Sequence, residues 1–143
     1  VTRAFTIALP TNDRQRTFTF YQETLGLQPI GEPTEDGVPE PLQFRIDEKS
    51  TVMFIPTGGF GWVLGDRQAA PNTVSECILS LTVESPTEVD DIINRMRAGG
   101  GEVFAEPTQQ DWGFTGVATD PDGHAWQIIA VPDHPTKSGV QAP

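Results

Sequence analysis

Basic residues, cysteine and long apolar runs are all scarce in this sequence. Lys+Arg number 9 against 20 Asp+Glu, which gives a net charge of -11. Nucleic-acid binding draws on clustered Lys and Arg that displace counterions from phosphates. No such cluster occurs, so nucleic acid is not an expected partner. No apolar run approaches the about 20 residues of a membrane helix, so no membrane partner is expected. The opening "VTRAFTIALP" alternates polar and apolar residues and lacks the apolar block of a secretory leader. One cysteine, Cys77, excludes an internal disulfide and suits a reducing compartment. These absences lead to the expectation of a soluble, cytoplasmic protein.

The chain does hold enough for a core and a small-molecule pocket: 143 residues, with 14 Gly and 13 Pro to punctuate many turns. Its acidity serves solubility, and it would also suit a cationic ligand. "AFTIAL" alternates, with Phe5, Ile7 and Leu9 on one face of a half-buried strand. "TND" then signals a helix start, and "RQRTFTFYQETLG" sets Phe18, Tyr21 and Leu25 on one stripe before Gly26. "GEPTEDGVPEP" reads as a loop, "LQFRID" and "TVMFIP" as strands, and "TGGFGWVLGD" with "RQAAPNTVS" as loop and linker.

The order then repeats. "CILSLTV" alternates, with Cys77 on the helix-facing side as a small core residue. In "SPTEVDDIINRMRAGG", Ser85 is the cap, Pro86 the first helical residue and Glu88 the partner in a capping box. Val89, Ile92, Ile93 and Met96 form its stripe, and Gly99 its stop. "GEVFAEP", "GFTGVATD" and "HAWQIIAV" read as strands, with Asp122-Gly123 as a two-residue hairpin turn. "TIALPTND" corresponds to "ILSLTVES" and "VMFI" to "AWQI". The expected fold is α+β: two tandem βαβββ modules forming a curved mixed sheet around a cleft. Module one spans about 4–58, a linker 59–75, module two 76–131 and an extended or disordered tail 132–143.

"DRQRTFTFYQETLGL" resembles the first helix of the glyoxalase/bleomycin-resistance/extradiol-dioxygenase group, the vicinal oxygen chelate superfamily. "DPDGHAWQI" is similar to its last hairpin, and "RAGGGEV" to the helix exit of its second module. The resemblance implies a divalent metal between the modules, held by the first and last strands of each. By position those slots fall on Thr6, Phe54, Ile78 and Gln127. Zn, Fe, Mn and Ni sites use imidazole, carboxylate or thiolate. Phe and Ile offer no donor, and Thr and Gln offer neutral oxygens. The histidines are His124, in the hairpin turn, and His134, in the tail. No metal and no cofactor are therefore expected. Gln127 either meets a ligand or bonds only to neighbouring backbone or to Thr6. Trp126 points the other way by period two and belongs to the core.

Without a metal, the superfamily's usual reactions lose the ion that holds vicinal oxygens, and no Ser-His-Asp or Cys-His set replaces it. In the superfamily's topology, the loops "GGFGWVLGD" and "QQDWGF" bring Phe60, Trp62, Trp112 and Phe114 near cleft mouths. The expected ligand pocket is bounded by Thr6, Phe54, Ile78 and Gln127, with Trp62 and Trp112 at its mouth to clamp a flat ligand and Phe114 in the core. Arg45, Gln43 and Asp111 are further polar candidates. The expected function is metal-independent binding of a small-molecule ligand, planar or cationic, in the manner of bleomycin-resistance proteins, by a homodimer. The alternative is a glyoxalase- or dioxygenase-like enzyme with an atypical metal site.

Overall fold

The computed structural model describes residues 3–132; His134 and nearly all of the expected tail lie outside the described residues. The chain forms two compact units, the first ending at Val74 and the second starting at Ser75.

The first unit runs β1 (Phe5–Thr11), α1 (Arg14–Thr24), β2 (Gln28–Pro29), β3 (Leu42–Asp47), β4 (Ser50–Pro56) and α2 (Thr57–Leu64). Its sheet has the order β1-β4-β3-β2, with β1 parallel to β4 and the other pairs antiparallel. Asp13 starts α1 by accepting the Arg16 N–H at 3.0 Å, which satisfies one of the unpaired donors of a first helical turn. The buried Thr11 and Thr17 hydroxyls, 2.7 Å apart, tie the end of β1 to α1. α1 then lays Tyr21 against the sheet, its ring centroid 4.6 Å from that of Phe54 and 5.7 Å from that of Phe44. Leu42, Phe44, Val52 and Phe54 are buried, and the register pairs them as Leu42↔Phe54 and Phe44↔Val52. Burying each of these large apolar side chains stabilises the unit by roughly 1.5–3 kcal/mol. Gly26 leaves the helix at φ 65, as its position after Leu25 suggests.

α2 corrects the loop expected over "TGGFGWVLGD". Glycine disfavours helix, but tertiary contacts override it here. The Thr57 hydroxyl donates to Asn12 Oδ1 at 2.7 Å and reaches the Thr11 carbonyl at 3.1 Å, which pins the helix start to the end of β1. Gly59 lets the helix abut Ile55: a Cβ there would lie 3.2 Å from Ile55 Cγ2.

The second unit repeats the order: β5 (Leu79–Val83), α3 (Pro86–Ala98), β6 (Val103–Gln110), β7 (Gly113–Thr119) and β8 (Ala125–Ala130). Its sheet has the order β5-β8-β7-β6, with β5 parallel to β8. Each unit is thus a βαβββ module, and the chain is α+β. The Ser85 hydroxyl accepts the Glu88 N–H at 3.2 Å, and Glu88 Oε1 accepts the Glu84 N–H at 3.2 Å. The reciprocal bond thus falls one residue ahead of the cap. Val89, Ile92, Ile93 and Met96 are buried, as their spacing requires. A Cβ on Gly116 would lie 2.9 Å from Ile93 Cγ1, so Gly116 faces α3. Its partner Ile128, and Trp126 two residues earlier, therefore share the helix side, with Trp126 only 4% exposed.

Two expectations change here. The turn into β8 is longer than two residues: the Asp120 N–H donates to the His124 carbonyl at 3.0 Å. Asp120 Oδ1 accepts the Asp122 and His124 N–H groups, each at 2.9 Å. Only Gly123 takes a positive φ, of 93; the buried Asp120 carboxylate, not Asp122, sets the turn. Cys77 is exposed rather than core, because β5 begins at Leu79 and leaves it ahead of the strand.

Candidate functional site

In each module the helix covers one sheet face and strand alternation sets the other, open face. In the first module β1 pairs with β4 as Thr6↔Thr51, Ala8↔Met53 and Leu9↔Phe54. β3 adds Arg45 beside Thr51 and Gln43 beside Met53, and β2 adds Gln28 beside Arg45. The open face therefore carries a polar row, Thr6–Thr51–Arg45–Gln28, running across all four strands. Next to it lies a row with Ala8, Met53 and Gln43. Ile55 continues this face towards α2.

Phe54 stands on the opposite face. It is 1% exposed and packed on Tyr21, so the structure does not bring it together with Thr6. This corrects its placement by one residue: period two turns Met53, not Phe54, onto the open face.

In the second module Gln127 does occupy the open face, paired with Ser80, and its Nε2 donates to Ser80 Oγ at 3.1 Å. It therefore bonds to the facing side chain of its own sheet. Ile78 lies ahead of β5 and is 58% exposed, so Ser80 is the open-face residue that the strand itself holds in register. Trp62 projects from α2 at 84% exposure. Trp112 is half-buried and Asp111 exposed, both in the turn between β6 and β7; Phe60 and Phe114 are half-buried. Met53, Thr51 and Gln28 were missed as site residues. No signal in the sequence alone marks the first two, because "TVMFIP" is apolar at successive positions and its face is fixed only by pairing.

The electrostatics of these faces differ from those of the whole chain. In the first module the open-face strand positions alternate with the buried residues and hold Thr, Ala, Pro, Met, Ile and Gln, with Arg45 as the charged group. In the second, Ser80 and Gln127 are accessible, while Thr115, Thr119, Ala125 and Ile129 on the same face are buried. The carboxylates lie elsewhere. Asp36 sits in the loop before β3, where the Thr34 hydroxyl, the Val38 N–H and Arg14 hold its pKa below the ordinary carboxylate value. It borders a shallow pocket of about 340 Å³ lined by Thr11, Asn12, Asp13, Arg14, Gln15, Asp36 and Pro56. Arg14 is committed there to Asp36, to Glu40 and to the Pro39 carbonyl, so it straps that loop onto the start of α1.

Neither face carries donors that fit a divalent transition metal. In the first module Thr6 is a neutral oxygen donor and Met53 a thioether; in the second Gln127 is a neutral oxygen donor and Ile78 has no donor. Among the described residues, no three His, Cys, Asp or Glu side chains gather to hold an ion. Among the same residues, no helix is long and apolar enough to cross a membrane.

Residues 3–128 match a family model described as Glyoxalase/Bleomycin resistance protein/Dioxygenase superfamily. A comparison with curated proteins found no match. Among solved structures, the chain is similar to a hypothetical protein from S. aureus, with TM-score 0.73 and 25% identity, covering 90% of this chain and 92% of that one. It is similar in fold to a glyoxalase-related enzyme from Fulvimarina pelagi, with TM-score 0.76 and 23% identity, covering 92% and 90%. It is also similar in fold to TnmS3, an antibiotic binding protein from Streptomyces sp. CB03234, with TM-score 0.61 and 19% identity, covering 92% and 98%.

Proposed function

We propose that this chain, which belongs to the Glyoxalase/Bleomycin resistance protein/Dioxygenase superfamily, is a metal-independent small-molecule-binding protein that takes a planar compound on the open sheet faces of its modules. One observation carries the proposal. The open-face positions offer apolar surface, neutral hydrogen-bonding groups and the Arg45 guanidinium, and none of the imidazoles, carboxylates or thiolates that a catalytic ion requires. The similarity in fold to an antibiotic binding protein is in keeping with this. An enzyme working through an atypical metal site would need donors that these faces do not supply. The cationic ligand suggested by net charge finds no support either, since the acidic groups stand off these faces.

The same proposal includes self-association, because α2 exposes Trp62 at 84% and Val63 at 67% on an otherwise acidic surface. It also includes a cytoplasmic setting, where the exposed thiol of Cys77 stays reduced.

The test pairs metal analysis of dialysed protein with calorimetric titration of planar aromatic compounds. Metal-free protein that binds such compounds supports the proposal. One retained equivalent of Zn, Fe, Mn or Ni, with no binding by metal-free protein, overturns it. Light scattering at micromolar concentration decides the dimer, and a monomer there overturns that part.

A further inference from the structure

We propose that the open face of the first module selects planar ligands that carry an acidic group, with Arg45 as the residue that sets this specificity. The inference rests on the small-molecule-binding function above and names the class of ligand. Thr6, Thr51, Arg45 and Gln28 are direct cross-strand neighbours in one row. Successive strands lie about 4.8 Å apart, so the row presents side chains at a spacing that one carboxylate and an adjoining ring can span. Every member of the row can donate a hydrogen bond. Thr6, Arg45 and Gln28 are exposed, and Thr51 is half-exposed.

Among the described residues, the side chains of Thr6, Thr51 and Gln28 form no hydrogen bond. Arg45 is anchored through Nη1 alone, at 3.3 Å from the Glu48 carbonyl and 3.5 Å from the Asp47 carbonyl. Its Nη2 and Nε remain to receive a carboxylate, and a guanidinium edge matches two carboxylate oxygens in plane. Ala8 and Met53 in the adjoining row give the ring an apolar bed.

Charge decides between the two signs of ligand. The chain bears -11 overall, which would favour a cation at long range. That field is screened within about 8 Å at physiological ionic strength, whereas the guanidinium acts at contact. No strand position on this face offers a carboxylate to a cationic ligand.

Isothermal titration of the full chain with three probes tests the inference: 2-naphthoate, 2-naphthalenemethanol and 2-naphthylmethylammonium. These share a ring and differ in charge. The expected order is naphthoate first, the alcohol next and the ammonium last. Arg45→Gln should weaken naphthoate by about tenfold and leave the alcohol within about twofold; Arg45→Lys should recover part of the loss. Arg45 is exposed, so folding should survive, and Thr51→Val tests the same row independently by weakening naphthoate more than the alcohol. Ammonium binding as tight as naphthoate, or naphthoate affinity unchanged in Arg45→Gln, overturns the inference. If the alcohol binds and naphthoate does not exceed it, small-molecule binding stands and the acid preference falls. If none of the three binds, both fall.

Discussion

Met53 stands in β4 where Gln127 stands in β8. Each lies beside a first-strand residue, Ala8 or Ser80, and those two sit at the same distance ahead of their helix caps, Asp13 and Ser85. The two modules therefore superimpose Met53 on Gln127, one residue away from the match suggested by "VMFI" and "AWQI". A one-residue slip in a strand exchanges core and open face. Here it moves an aromatic out of the site and a flexible thioether into it.

The first prediction follows from that pair. Gln127→Glu would place one carboxylate beside Ser80, and no other position of β5, β7 or β8 on that face supplies a second anionic or imidazole donor. Neither the parent protein nor Gln127→Glu should retain an equivalent of Zn, Fe, Mn or Ni after dialysis, as measured by elemental analysis. A stoichiometric ion in the variant would mean that other donors complete the site.

The second concerns Gly101, where β6 is approached. A Cβ there would lie 1.9 Å from the Thr119 carbonyl oxygen and 3.0 Å from the Met96 carbonyl oxygen. Both are backbone atoms, and the Gly101 N–H also donates to Met96 O at 2.9 Å, so neither side yields easily. Gly101→Ala should destabilise the protein by about 2–4 kcal/mol. Urea denaturation checks this; an unchanged midpoint would show that the segment shifts freely.

Much of this fold was legible because local and tertiary signals agree. In α3 the cap Ser85, the helix start Pro86 and the stripe Val89, Ile92, Ile93 and Met96 all point the same way, and the structure follows them. α2 was hidden because its glycines argue against helix while its anchors, Thr11 and Asn12, lie far back in sequence. Phe54 was misplaced because "TVMFIP" is apolar at successive positions, so alternation cannot choose a face without the register to β1. The polar row is likewise a property of pairing: Thr6, Gln28, Arg45 and Thr51 are scattered along the chain and meet only across strands.

The third prediction concerns acid. Asp36 accepts from the Thr34 hydroxyl, the Val38 N–H and Arg14, and these lower its pKa in the folded state. A depressed folded pKa gives stability that is present above the unfolded value and lost as pH falls through the folded one. The window therefore lies below about pH 4. Asp36→Asn should reduce the loss of stability between about pH 5 and pH 2.5. The effect should be small, because the carboxylate is exposed. Identical urea midpoints for variant and parent at every pH would assign the acid limb to other carboxylates.

The last prediction separates ligand contact from packing at Trp62. Its ring is 84% exposed on α2, so Trp62→Ala removes little buried surface and should change stability by less than about 0.5 kcal/mol. α2 abuts the open face at Ile55. An aromatic side chain there can stack on a planar ligand that rests on Ala8 and Met53. Affinity for such a ligand should then fall about tenfold, or ~1.4 kcal/mol. Ligand quenching of tryptophan fluorescence should fall with it, since Trp126, at 4% exposure, is shielded in the α3 core. Trp112→Ala provides the contrast: its half-buried ring should cost stability as well. Light scattering on Trp62→Ala completes the experiment. Unchanged affinity together with dissociation of a dimer would make Trp62 an interface residue, and the ligand would then have to sit elsewhere on the face.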